Sequence, residues 1–353
     1  MKKKYYRLDS ILKTDAEYLM LLGMRSNGKS YAVKEFLLDK AFNENEKFVY
    51  LRRYKDDIKQ YYVESYFSDM PIEKITKGIY DQIIAWQGYI YFAKSNEDPT
   101  KPPARGTKIG RYCALNEAVR YKSNAFVNYK YIDYEEFITD GVYLSEEPEK
   151  LQQFISTVAR DQNITVFLIG NTISRVCPYF SQWQLSGTLR QKPGTIEIYR
   201  QHDDKGNLTA SIAVENCTIV ENTSKMFFGN ATKQILSGEW DVKASPRLPG
   251  KIEDYETIYN MQIAYQMFIF NIKLLIDEEG RIYTYVYPGK ELKKDGRILS
   301  TDFSTSPQTT ICFNKNSRAE CRIVDCFNNG KVCFSDNLTA ADFEQVRQQY
   351  RFI

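Results

Sequence analysis

Histidine is almost missing from this chain: His202 is the single one among 353 residues. The seven cysteines (113, 177, 217, 312, 321, 326 and 333) contain no C-x-x-C pair. Tetrahedral zinc is held by Cys and His at short, paired spacings, so no zinc site is expected. An odd number of cysteines without framework spacing reads as reduced thiols, not as a disulfide scaffold. No apolar run approaches the roughly 20 residues of a membrane span, so no membrane partner is expected. No secretory leader is visible either, because Lys2-Lys3-Lys4 runs into Tyr-Tyr-Arg-Leu-Asp. That lysine run reads as a solvated tail. Charge of one sign is also scarce. A formal net charge of +3 does not mark a general nucleic-acid clamp, although it leaves room for a local basic strip.

What is present is the material of a globular protein, with 43 % hydrophobic and 26 % charged residues, long enough for two domains. The most informative stretch is Gly23-Met24-Arg25-Ser26-Asn27-Gly28-Lys29-Ser30. It spells G-x-x-x-x-G-K-S, a phosphate-binding loop. Its flanks suit it: Glu17–Leu22 reads as a short buried strand, and Tyr31–Leu38 as the start of a helix. Glycines let the backbone wrap phosphates, and the amide N–H groups and helix N-terminus supply positive potential. Lys29 would reach the β- and γ-phosphates of ATP, and the Ser30 hydroxyl would take Mg²⁺.

Residues 1–200 read as α/β. Strands are predicted at Tyr18–Gly23, Phe48–Arg52, Tyr129–Tyr134 and Ile164–Gly170. A helix is predicted at Glu147–Arg160, where Leu151, Phe154, Ile155 and Val158 share one face. Strands alternating with helices imply a mostly parallel sheet. Asn96–Arg111, rich in Pro, Gly and Lys/Arg, reads as a loop. Residues 201–245 read as a polar linker subdomain containing a hairpin-like turn at Asp203–Asn207. Residues 246–353 read as a strand-rich domain, with strands at Met267–Ile276, Arg281–Tyr287, Thr309–Phe313, Cys321–Cys326 and Lys331–Ser335. A closing helix is expected at Thr339–Tyr350, with Thr339 and Asp342 as cap candidates.

A phosphate loop needs acids on a neighbouring strand, one for Mg²⁺ and one to polarise water. Asp133-Tyr134-Glu135-Glu136 ends such a strand, and two registers fit. In one, Glu135 serves Mg²⁺ and Glu136 is the water-activating base. In the other, Asp133 is the Mg²⁺ acid. Arg160, closing its helix, could reach a γ-phosphate in its own or a neighbouring subunit, although the spacing alone fits better a solvated arginine favourable at a helix C-terminus. Asn171, just past a strand, suits either a γ-phosphate sensor or a turn. Residues 101–122 carry Lys101, Arg105, Lys108, Arg111, Arg120 and Lys122 against the single acid Glu117. Such an excess suits contacts to a nucleic-acid backbone, and it also suits a solvated basic loop.

Together these segments resemble the DNA-packaging ATPases of small tailed phages, the phi29-like encapsidation proteins related to large terminase subunits. The resemblance rests on Gly23–Ala32, Phe48–Lys55, Lys122–Ala125, Glu135–Ile138, Thr157–Arg160, Gly170-Asn171 and Cys177–Phe180, in that order. It implies a P-loop NTPase of the additional-strand, terminase-like type. The implied second domain is smaller, α+β and of the RNase H type, with its nuclease acids lost. Residues Gly23 to Tyr31 and Asn171 would then hold nucleotide, with Arg25 as the loop's basic residue. Glu135 would hold Mg²⁺ with Ser30, and Glu136 would act as the base. That is a departure, since the family's metal acid is aspartate. Arg160 would be a trans-acting finger, and Asn171 would couple hydrolysis to movement. Lys122 would face translocating double-stranded DNA, with Arg120 and Lys55 nearby. The implied setting is a homo-oligomeric ring, taken as a pentamer, in the host cytoplasm and at the portal vertex of the procapsid. A packaging RNA is a further implied partner whose need is left open. Other P-loop motors, such as helicases and partition ATPases, remain alternatives, as does a nucleotide-dependent binding protein without turnover. Asp277-Glu278-Glu279 is the only acid cluster in the last domain, and no nuclease activity is expected.

Overall fold

Continuous apolar strands, not alternating ones, build the centre of the larger of two units. The computed structural model describes residues 5–160, 162–217, 244–293, 296–301 and 309–350. One unit comprises Met1–Thr139, Leu144–Thr172 and Leu185–Glu239; the other comprises Asp140–Tyr143, Ile173–Gln184 and Trp240–Ile353.

The first unit is a nine-stranded sheet. Its strands are β1 (Tyr18–Gly23), β2 (Lys47–Arg52), β3 (Gln82–Trp86), β4 (Tyr89–Lys94), β5 (Ala104–Ala114), β6 (Tyr129–Glu135), β7 (Thr165–Asn171), β8 (Thr195–His202) and β9 (Leu208–Asn216). They lie in the order β3-β4-β5-β2-β6-β7-β1-β9-β8. The six from β5 to β9 in that order run parallel, and antiparallel pairs close both edges. Leu19 to Leu22 of β1, Ile132 to Glu135 of β6 and Val166 to Ile169 of β7 are all buried, as strands covered on both faces must be. β7 lies between β1, which carries the loop, and β6, which carries the acids. This is the additional-strand arrangement.

Three predictions are corrected here. Asn96–Arg111 is not all loop, because β5 starts at Ala104 and pairs with β4 and β2. A boundary at residue 200 cuts through β8, and β9 pairs with β1, so the sheet continues to Asn216. Cys321–Cys326 is not a strand. It lies in a helix, Arg318–Asn328, started by Ser317 Oγ accepting from the Glu320 N–H at 3.3 Å, with Glu320, Ile323 and Cys326 buried at helical spacing. Most of the segment assigned to a linker, residues 218–243, lies outside the described residues.

The second unit holds a mixed six-stranded sheet of β10 (Glu256–Tyr265), β11 (Phe268–Ile276), β12 (Ile282–Pro288), β13 (Arg297–Ser300), β14 (Thr309–Thr310) and β15 (Val332–Phe334). Its order is β14-β13-β10-β11-β12-β15, with an antiparallel trio β10-β11-β12 and parallel strands added at each side. An antiparallel trio extended by parallel strands beside its first member is the RNase H-type arrangement. The closing helix runs Asn337–Tyr350, and Asp336 receives both the Thr339 N–H at 2.8 Å and its hydroxyl at 2.6 Å. Asp336 thus does the capping expected of Thr339 or Asp342, while Asp342 pairs with Arg175 at 3.0 Å.

Candidate functional site

The loop between β1 and the helix Lys29–Asn43 borders a cavity of about 1000 Å³. Two of its glycines sit where a side chain would strain: Gly23 at φ +147° and Gly28, the helix N-cap, at φ +96°. Ser26 also takes a left-handed φ of +60°. Lys29 is buried, and its Nζ donates to Met24 O at 2.8 Å, Gly23 O at 3.2 Å, Asn27 Oδ1 at 3.3 Å and Asn171 Oδ1 at 3.4 Å. Burial pushes its ammonium below the usual range, opposed by Cys217 and Glu135. Arg25 and Tyr31 are exposed and line the cavity with Ser26, Asn27, Gly28 and Ser30.

β6 brings its acids to the same place. Asp133 and Glu135 share one face and are both buried. Ser30 and Glu135 line the cavity together, which brings together the pair expected to hold Mg²⁺. The Tyr66 hydroxyl lies 2.8 Å from Glu135 Oε1 and 2.9 Å from Asp133 Oδ2. The single phenolic proton is shared between the two carboxyl groups. Burial, then the charge of Glu135, pushes the Asp133 carboxyl well up. Burial also raises Glu135, opposed by the nearby Ser30 hydroxyl and the bond from Tyr66. Mg²⁺ takes hard oxygens from one or two carboxylates and keeps the rest for phosphate and water. A hydroxyl, a carboxylate and the Asp133 Oδ1, buried with no partner among the described residues, fit that ion.

Glu136 leaves the strand at φ +56°. It lines the cavity, and Arg52 Nη2 holds its Oε2 at 2.6 Å. Behind it, Arg53 forks onto Glu147 at 2.7 and 3.0 Å and donates to the carbonyls of Glu136 at 3.1 Å and Phe137 at 2.6 Å. The Tyr134 hydroxyl completes this buried cluster at 2.7 Å from Glu147.

Arg160 is not among the residues lining the cavity. It ends its helix at φ +39° and donates to the carbonyls of Asn124 at 2.9 Å and Lys122 at 3.3 Å. Lys55 and Arg120 meet around Glu117, at 3.1 and 2.5 Å, and the Lys122 side chain is exposed. The rest of the basic stretch splits off along β5. There Arg105 stacks 3.7 Å from the Trp86 ring, and Lys108 lies 3.9 Å from that of Tyr89.

Sequence reasoning missed Tyr66, Arg52 in its pairing role, and the Tyr5–Arg7 segment. Tyr66 lies 67 and 69 positions from its partners, and no local pattern links them. Tyr5, Tyr6 and Arg7 line the cavity, where Tyr6 N–H donates to Asn27 O at 3.1 Å and its hydroxyl to Glu215 at 2.7 Å. The aromatic pair before a short helix was the one available signal.

Comparison with known proteins gives a consistent picture. The family model for podovirus DNA encapsidation protein (Gp16) matches residues 1–201. The DNA packaging protein of Bacillus phage phi29 is 27 % identical over 183 residues, 51 % of this chain and 50 % of that protein. That of Bacillus phage B103 is 26 % identical over 174 residues, 48 % of this chain and 49 % of that protein. The chain thus spans about half the length of the curated relatives it matches. Among solved structures, the bacteriophage Phi-29 viral genome packaging motor assembly superposes with a TM-score of 0.59 at 20 % identity, covering 98 % of this chain and 99 % of that one. The Phi-28 gp11 DNA packaging motor gives 0.53 at 16 % identity, covering 100 % and 99 %. These two likenesses establish the fold.

Proposed function

The chain belongs to the podovirus DNA encapsidation protein (Gp16) family, and from that premise we propose that it is an ATP-hydrolysing motor driving viral double-stranded DNA into a procapsid. One observation carries the reading: the loop and the acid strand meet at one cavity, lined by both Ser30 and Glu135, with Lys29 within reach of Asn171.

The backbone N–H groups of Ser26 to Ser30 would bind the phosphates, and Lys29 would leave its loop carbonyls for the β- and γ-oxygens. Tyr5 and Tyr31 would give the nucleobase apolar walls. Ser30 and Glu135 would hold Mg²⁺, which neutralises charge on the phosphates when bound. Glu136 would orient water once Arg52 releases it. Asn171 would register the γ-phosphate, and Arg160 would reach a neighbouring subunit's site. Lys122, Arg120 and Lys55 would meet the DNA backbone. Residues 1–216 would form the ATPase domain and 246–353 a nuclease-inactive domain. The Asp277 and Glu279 carboxylates are both paired with Arg281, at 2.6 and 2.7 Å. The working form would be a ring of identical subunits, taken as five, at the portal vertex.

The test is ATP turnover with and without double-stranded DNA, measured beside mass in solution. DNA-stimulated turnover that disappears in Lys29→Ala is expected. ATP binding without turnover by the unaltered protein would overturn the motor reading, and strand separation would point to a helicase.

A further inference from the structure

The acid beside Ser30 is a glutamate, one methylene longer than an aspartate. Its extra methylene adds a rotatable bond, so the carboxylate needs an outside hold to stay beside Ser30. The Tyr66 hydroxyl, 2.8 Å from Glu135 and 2.9 Å from Asp133, is placed to supply it. Tyr66 is itself fixed from several sides. Its ring stacks on Tyr50 at 4.4 Å and 21°, and meets Phe67 edge-on at 4.8 Å. Its backbone carbonyl accepts from Lys34 Nζ at 2.7 Å, and that ammonium lies 4.7 Å from the ring centroid. Lys34 belongs to the helix that begins at Lys29. Tyr66 therefore joins the helix after the phosphate loop to the acid strand.

We propose that Tyr66 is a positioning residue of the metal site: its hydroxyl holds the longer Glu135 side chain against Ser30, with Asp133 tied in beside it. The inference rests on reading Ser30 and Glu135 as the Mg²⁺ ligands. Outer partners that orient a ligand are typically worth about 10- to 100-fold in metal affinity. The phosphate contacts of Lys29 and the loop N–H groups do not pass through Tyr66, so nucleotide affinity without metal should be spared.

Tyr66→Phe tests this in the whole 353-residue chain. The substitution keeps the ring and its stacking and removes only the hydroxyl. Binding of a fluorescent ATP analogue is titrated with Mg²⁺ and, in parallel, followed in EDTA. The Mg²⁺ midpoint is expected to rise about 10- to 100-fold, with binding in EDTA within about threefold of the unaltered protein. In turnover, the Mg²⁺ needed for half-maximal rate should rise while kcat at saturating Mg²⁺ recovers. An unchanged midpoint overturns the proposal. So does an equal loss of binding in EDTA, which marks a merely structural role. Should Tyr66→Phe fail to fold, Lys34→Met removes the bond to the Tyr66 carbonyl together with the Lys34–Asp69 ion pair; it is expected to raise the same midpoint several-fold beyond Asp69→Asn, which breaks the ion pair alone, and no difference between the two also overturns the proposal. An unaltered protein that binds nucleotide but does not hydrolyse it would refute the motor reading and leave this binding assay valid. Binding indifferent to Mg²⁺ would refute the metal-site assignment itself.

Discussion

At Glu136, two demands on one residue meet. The chain must leave β6 through a left-handed turn, and the side chain must stand ready at the rim of the cavity. The turn is held by the bond from Arg53 to the Glu136 carbonyl, so the side chain is free to exchange partners. Its present partner is Arg52, at 2.6 Å. If Glu136 is the general base, Glu136→Gln should cut kcat by about 10²- to 10⁴-fold and leave ATP affinity nearly intact. Rapid-quench turnover beside equilibrium nucleotide binding checks this, and comparable losses in both would argue for a binding role. The phosphate loop was legible from sequence because eight consecutive residues encode it without outside help. The Glu135-Glu136 pair was legible once that loop was known. Tyr66 was not, because its role exists only after the Gln60–Phe67 helix is laid against β6.

Among the elements, β1, β2 and β7 were legible from continuous apolar runs, and β6 from its aromatic and β-branched residues ahead of the acid pair. β5 was not. Its first half is charged and exposed, Pro102-Pro103 just before it and Gly106 within it read as loop signals, and that half is held in the sheet by pairing with β4 while the second half pairs with β2. Arg105 and Lys108 are accommodated there by lying over aromatic rings. Cys321–Cys326 was misread because a short apolar run suits strand and helix equally, and the Ser317 cap settled the matter. The Arg53–Glu147 cluster links the end of β2, the turn after β6 and the start of the Glu147–Ala159 helix. Both members are almost wholly buried. Arg53→Met would leave the Glu147 charge uncompensated and is expected to destabilise the first unit by about 3–5 kcal/mol. Urea unfolding followed by fluorescence measures this, and a loss under 1 kcal/mol would show the cluster to be dispensable.

For the whole molecule, the position of Arg160 sets the decisive experiment. It grips the carbonyls of Lys122 and Asn124 and is absent from the cavity lining of its own chain. If it serves a neighbour, Arg160→Ala and Glu136→Ala subunits are each inactive alone. An equal mixture regains turnover at roughly one interface in four, because a site with its base can then face an intact arginine. ATPase activity across mixing ratios reads this directly, and a mixture as inactive as its parents would rule out action between subunits. If the site empties and refills repeatedly, as the proposed motor would, the bonds of Lys29 matter too. A buried ammonium stripped of its partners would be costly. Here a departing phosphate would hand Lys29 back to the Gly23 and Met24 carbonyls and the Asn27 and Asn171 amides. Product release would then exchange one set of acceptors for another, and the emptied loop would be a low-energy waiting state between turnovers.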